Sequence, residues 1–187
     1  PMSYWLSIYP KSDFLKRIEY GLVTQQTYDH ESQKWETFNY TGFEFYFPRQ
    51  TWIWFGGNLK SEVFAGRWFN RTDFGFGIFS QLFKQFYFDI TLNSGHRVYY
   101  DYESPYGGTG KNISASVIFQ PMDKFRTELK FLYQDFFRRS DKKKIYDYTI
   151  LRSVTYYQFN KYLYLRGIVE YNAYFKRMET DVLASFT

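Results

Sequence analysis

Apolar and polar residues alternate with a period of two along most of this chain, which is the signature of half-buried β-strands. In 162–175, Leu163, Leu165, Gly167, Val169, Tyr171 and Ala173 oppose Tyr164, Arg166, Ile168, Glu170, Asn172 and Tyr174. In 125–137, Leu129, Phe131 and Tyr133 oppose Arg126, Glu128, Lys130 and Gln134. In 112–120, Ile113, Ala115, Val117 and Phe119 oppose Asn112, Ser114 and Ser116. In 85–103, Phe86, Phe88, Ile90 and Leu92 oppose Tyr87, Asp89, Thr91 and Asn93. Two runs alternate less cleanly. Run 35–47 has aromatics on both faces, and run 145–158 places Arg152 among Tyr148, Ile150, Val154 and Tyr156.

Turn signals recur with a period of roughly 38 residues. Pro10–Lys11, Pro48–Arg49, Phe83–Lys84, Pro121 with Lys124, and Phe159 with Lys161 each separate two strand-like runs. The stretches between them, 29–34, 66–71, 104–111, 138–144 and 176–180, are polar or glycine-rich and read as longer loops. The pattern predicts strands near 2–9, 13–28, 35–47, 51–65, 72–81, 85–103, 112–120, 125–137, 145–158, 162–175 and 181–187. Many exceed the usual soluble strand length and reach the 9–11 residues that cross a bilayer.

Composition sharpens this picture. Among 187 residues there are 22 Phe, 20 Tyr and 5 Trp, an aromatic share of 25%. Rings with a polar tip suit an apolar–water boundary. Mean hydropathy is −0.52 and no run holds 18 consecutive apolar residues, so no membrane helix is expected. Barrel strands alternate apolar-out with polar-in and keep a low mean. Tyr9, Phe47, Trp52, Phe86, Phe119, Phe125, Tyr157 and Tyr162 flank the tight turns, as one aromatic girdle would. The net charge is +5, which suits a solvated basic surface or one that meets anionic headgroups. There is no cysteine, which excludes disulfides, thiolate metal sites and a cysteine nucleophile.

The fold class expected is all-β: an antiparallel up-and-down transmembrane β-barrel, partial, with about 10–11 strands in residues 1–187 and closure by strands outside this chain. Leu163, Leu165, Val169, Phe131, Val117, Ile90 and Phe88 are expected to face lipid. Arg166, Glu170, Glu128, Lys130 and Asp89 are expected to face the lumen. A soluble antiparallel sandwich also alternates and is the competing fold.

The runs YDYTILRSVTYYQFNKYLYLRGIVEYN (146–172) and TDVLASFT (180–187) resemble a family of Bacteroidota outer-membrane barrels of unknown function. The resemblance is strongest over 117–187. It implies an outer-membrane location, a carbohydrate-binding family 9-like domain ahead of the barrel, and further strands after 187. It also implies a role in transport or anchoring linked to glycan binding or uptake. The partners it suggests are the bilayer, lipopolysaccharide, glycans and other outer-membrane proteins. The alternative function is a soluble all-β carbohydrate-binding module.

No catalytic pattern, cofactor site or metal site is expected. His30 and His96 lie far apart and have no partner at metal-ligand spacing. Asp101 and Glu103 could pair on one strand face, but lumen-wall charge is the plainer reading. Ser104–Lys111 is glycine-rich yet lacks the phosphate-loop spacing. The basic run Arg138–Lys144 is interrupted by Asp141 and joins two strands, so an outer loop rather than a nucleic-acid contact is expected.

Overall fold

A computed structural model describes residues 1–186, and they form one antiparallel sheet. Its strands are β1 (Met2–Ile8), β2 (Arg17–Asp29), β3 (Lys34–Phe47), β4 (Thr51–Phe64), β5 (Arg67–Phe83), β6 (Phe86–Tyr99), β7 (Tyr106–Met122), β8 (Phe125–Arg138), β9 (Lys144–Gln158), β10 (Leu163–Asn172) and β11 (Arg177–Phe186). Each strand pairs with its sequence neighbours, in the order β1 to β11. No helix of the described residues is long and apolar enough to cross a membrane. All eleven expected strands are present, except that Thr187 lies outside the described residues.

Three expected loops are largely strand. Residues 67–71 open β5, 106–111 open β7 and 177–180 open β11. They are rich in polar residues and glycine but also hold Trp68, Phe69 and Met178, and their backbone groups find partners across the ladder. The connections at the two ends of the sheet are therefore of similar length. One end carries 9–16, 48–50, 84–85, 123–124 and 159–162. The other carries 30–33, 65–66, 100–105, 139–143 and 173–176. The five proline- or phenylalanine-marked turns share the first end, as a meander requires.

The sheet is open. β1 and β11 each have a single neighbour, so each leaves one backbone edge unpaired. No second layer covers it either: Val98 and Phe136 are the only buried hydrophobic side chains among the described residues. The accessible surface is 12901 Å², whereas a compact soluble monomer of 22.9 kDa would expose about 9,600 Å². The up-and-down order and bare faces depart from a two-layer sandwich.

Register decides which side chains share a face. One row crosses all eleven strands: Ile8, Ile18, Phe45, Ile53, Ile78, Ile90, Ala115, Phe131, Leu151, Tyr171 and Met178. We call this face A and the opposite one face B. On face A of β8 and β10, the spans Phe125–Tyr133 and Leu163–Tyr171 hold no charge. Each runs roughly 30 Å along its strand at about 3.4 Å per residue. A tilt of about 40° turns that into about 23 Å of height, close to the ~25 Å apolar band of an outer-membrane barrel. The strand charges on face A, Lys111, Asp135, Lys144 and Asp147, sit toward the second end. There the sheet continues past the apolar band, whereas at the first end the band runs up to the turns.

Candidate functional site: the charged face

Face B gathers the remaining strand charges, and most are paired. Arg17 meets Glu19 at 3.2 Å, Lys60 meets Asp73 at 3.0 Å, and Arg71 meets Glu62 at 3.0 Å. Lys130 meets Glu128 at 2.8 Å, Arg152 meets Glu170 at 3.7 Å, and Arg166 meets Asp181 at 3.0 Å. Several of these pairs lie on neighbouring strands and are set by register. Arg152 stands directly opposite Glu170, and Lys60 is two residues along β4 from Asn58, the partner of Asp73, and so lies diagonal to that acid. The poor alternation of 145–158 is resolved here: Arg152 belongs to the charged face.

Asp73 is the most enclosed of these acids, at 6% exposure. Its carboxylate takes Lys60 at 3.0 Å, the Asn58 amide at 2.7 Å, and Arg97 at 4.0 Å. A second cluster lies toward the first end, where the Tyr46 hydroxyl reaches both Glu44 and Glu19 and Arg17 sits 4.0 Å over its ring. At the second end, Tyr100 in the 100–105 connection donates to Glu62 at 2.8 Å and accepts from Arg71 at 3.1 Å. Burial, then the hydrogen bond to Glu62, pushes its hydroxyl above the usual tyrosine range.

The aromatics of face B pack on glycine. A single row runs Trp5, Gly21, Gly42, Gly56, Gly75, Asn93, Asn112, Gln134 and Tyr148. The Trp5 ring covers Gly21, Tyr40 covers Gly42 and Gly56, and Trp54 covers Gly75 and Gly77. A Cβ at Gly75 would stand 2.6 Å from the Trp54 ring, and one at Gly56 2.7 Å from Tyr40. This accounts for the aromatics on both faces of 35–47: Phe43, Phe45 and Phe47 belong to face A, while Tyr40 fills a glycine hollow on face B. Gly75→Val is expected to displace Trp54 and cost about 1–3 kcal/mol. A red-shifted tryptophan emission with a lower urea midpoint would report it, and unchanged emission would refute it.

The residues singled out from sequence fall into two groups. Arg166, Glu170, Glu128, Lys130 and Asp89 all lie on face B, and Leu163, Leu165, Val169, Phe131, Val117, Ile90 and Phe88 all lie on face A. Asp89, Ser114, Ser116, Glu128 and Lys130 line a shallow cleft of about 480 Å³ on face B. Asp101 and Glu103 are not paired on a strand face. Both lie in the 100–105 connection, where the Asp101 carboxylate accepts the Glu103 and Ser104 backbone N–H groups at 2.9 and 3.1 Å. His30 sits in a turn against the edge of Tyr28, and His96 lies on face A. No group of acids, histidines or cysteines among the described residues is arranged to hold a metal ion. The Asp73 cluster and the tyrosine-linked pair Glu19 and Glu44 were not singled out from sequence. Their only local signal is a charge at a period-2 position: Lys60, Asn58 and Arg97 lie on other strands than Asp73, and Tyr46 links Glu44 on its own strand to Glu19 on β2.

Chemically, face B offers hydrogen bonds and nearly balanced charge on a wall of tyrosine, tryptophan, serine and amide groups. Comparison with protein-family models, curated proteins and solved structures finds no match for this chain.

Proposed function

We propose that this sheet is part of the wall of a bacterial outer-membrane β-barrel, with face A toward lipid and face B toward the lumen. One observation carries this reading: a charge-free apolar band about as tall as a bilayer core lies on one face of a single-layer sheet, and most of the ion pairs are gathered on the other. In water, exposing that much hydrocarbon on a bare sheet would drive aggregation. In lipid it is the favourable arrangement, and inward charges then find each other and water. The two open edges must then be covered by further strands, because unpaired N–H and C=O groups in hydrocarbon cost several kcal/mol each.

On this reading Leu163, Leu165, Val169, Phe131, Val117, Ile90 and Phe88 contact lipid, and Arg166, Glu170, Glu128, Lys130 and Asp89 line the lumen. The end where the sheet continues past the apolar band is the external one, since outer-membrane barrels extend farther on that side. The function we assign is transport or anchoring linked to glycan binding or uptake. Lumen tyrosines, tryptophans and amides are suited to polyhydroxylated solutes, and the near balance of charge keeps the wall from favouring ions of one sign. The expected partners are the bilayer, lipopolysaccharide, glycans and other outer-membrane proteins.

Cell fractionation tests the membrane reading. The protein is expected in the membrane pellet, resistant to carbonate and high salt and released by detergent. Recovery in the soluble fraction, with retention on immobilised polysaccharide, would replace it with a soluble carbohydrate-binding module.

A further inference from the structure

The external rim of face A carries a cleft of about 520 Å³. Trp68, His96, Gly107 and Arg139 line it, beyond the apolar band. The Arg139 backbone N–H donates to the Gly107 carbonyl at 3.1 Å, which sets Arg139 on the same face as Gly107 and its register partner Val98. The Arg139 guanidinium has no acid partner among the described residues, unlike its neighbour Arg138, which meets Asp141 at 3.3 Å and sits 5.0 Å from the Tyr106 ring. His96 Nδ1 accepts the Thr72 backbone N–H at 3.2 Å. That leaves the ring proton on Nε2, a donor. The Trp68 ring is 42% exposed. Above Gly107 there is open space, since a Cβ there would meet nothing within 4 Å.

Acids near this rim are already engaged. Asp135 accepts the Lys111 backbone N–H at 2.7 Å and the Tyr133 hydroxyl at 2.9 Å, and Asp147 meets Lys144 at 3.1 Å. The Lys111 ammonium, on face A beside Ser94 and four residues along β7 from Gly107, lies outside the cleft lining. At the cleft itself, Arg139 and His96 Nε2 are the donors left without an acid partner among the described residues.

We propose that this cleft binds a phosphate group of an anionic lipid in the outer leaflet. Arg139 supplies a two-pronged grip on the phosphate, His96 Nε2–H adds a third donor, and Trp68 packs along the lipid's sugar or glycerol backbone. The inference rests on the membrane reading above, because a lipid phosphate reaches this rim only if face A is in lipid.

The test uses the full-length protein in a neutral detergent, titrated with diphosphoryl lipid A, with phosphatidylethanolamine and inorganic phosphate in parallel. Arg139→Gln removes the grip, and Gly107→Leu fills the cleft without changing charge. Each is expected to weaken lipid A binding about tenfold, the worth of one charge-assisted hydrogen bond. Lys124→Glu, in a turn at the opposite end, is expected to leave it unchanged. Circular dichroism like that of the wild type establishes that each variant is folded. Equal binding by wild type, R139Q and G107L overturns the proposal. Inorganic phosphate competing as tightly as lipid A makes this a free-phosphate site and overturns the lipid assignment. Failure of the underlying reading shows earlier and separately, as wild-type protein recovered without detergent.

Discussion

Leu129→Arg is expected to block assembly of this protein into a bilayer. Leu129 stands on face A midway between Phe125 and Tyr133, with Val117 and Ser153 as register partners, and is 52% exposed. On the proposed lipid face it lies near the midplane, where an arginine costs about 2–4 kcal/mol. Leu165 is register partner to Tyr157 and lies close to the 159–162 turn, so Leu165→Arg has its head group within reach of the interface. Its expected cost is the smaller ~0–1 kcal/mol of an interfacial site. Ser116 lies on the other face between Asp89 and Lys130. Ser116→Arg gains one neighbour of opposite charge and one of like charge, and should assemble nearly as the wild type does. Urea titration of folding into lipid vesicles measures all three. The order expected is L129R far below L165R, with S116R close to wild type. S116R failing while L129R folds normally would mean that the faces are reversed or that the sheet is not in lipid.

Asp73→Ala is expected to destabilise the folded protein by about 3 kcal/mol, the low end for an enclosed ion pair that loses one partner. The loss does not come from the attraction alone. It arises because Lys60, Arg97 and the Asn58 amide are left facing one another without the carboxylate that satisfied them. Lys60→Ala should cost less, since Arg97 and Asn58 remain. The double variant K60A/D73A should therefore fall short of the sum of the two singles. A strictly additive double-mutant cycle would show that Asp73 and Lys60 do not act as a unit.

Strand identity was legible because it is a local property. Period-2 alternation in 112–120, 125–137 and 162–175 is written in adjacent residues, and each of those runs is a strand with the faces it predicts. Breaks are legible where proline, or phenylalanine with a lysine close behind, interrupts the period, as at Pro10, Pro48 and Phe159. The polar or glycine-rich stretches 66–71, 104–111 and 176–180 read as loops for a corresponding reason, although 67–71, 106–111 and 177–180 are strand. Polar and glycine residues suggest a strand end, whereas the ladder is held by backbone hydrogen bonds that do not depend on side-chain polarity.

The sequence by itself determined the all-β class, the number of strands, their up-and-down order and the split of side chains between two faces. Register was decided only by the tertiary structure, because it depends on residues tens of positions apart matching simultaneously across every ladder. Register aligns Ile8 through Met178 into one apolar row, and it brings Gly21, Gly42, Gly56 and Gly75 side by side although their spacing along the chain is irregular. It also sets Arg152 against Glu170 and encloses Asp73 among Lys60, Asn58 and Arg97. A charge at a period-2 position announces its face, but its partner is chosen by the neighbouring strand.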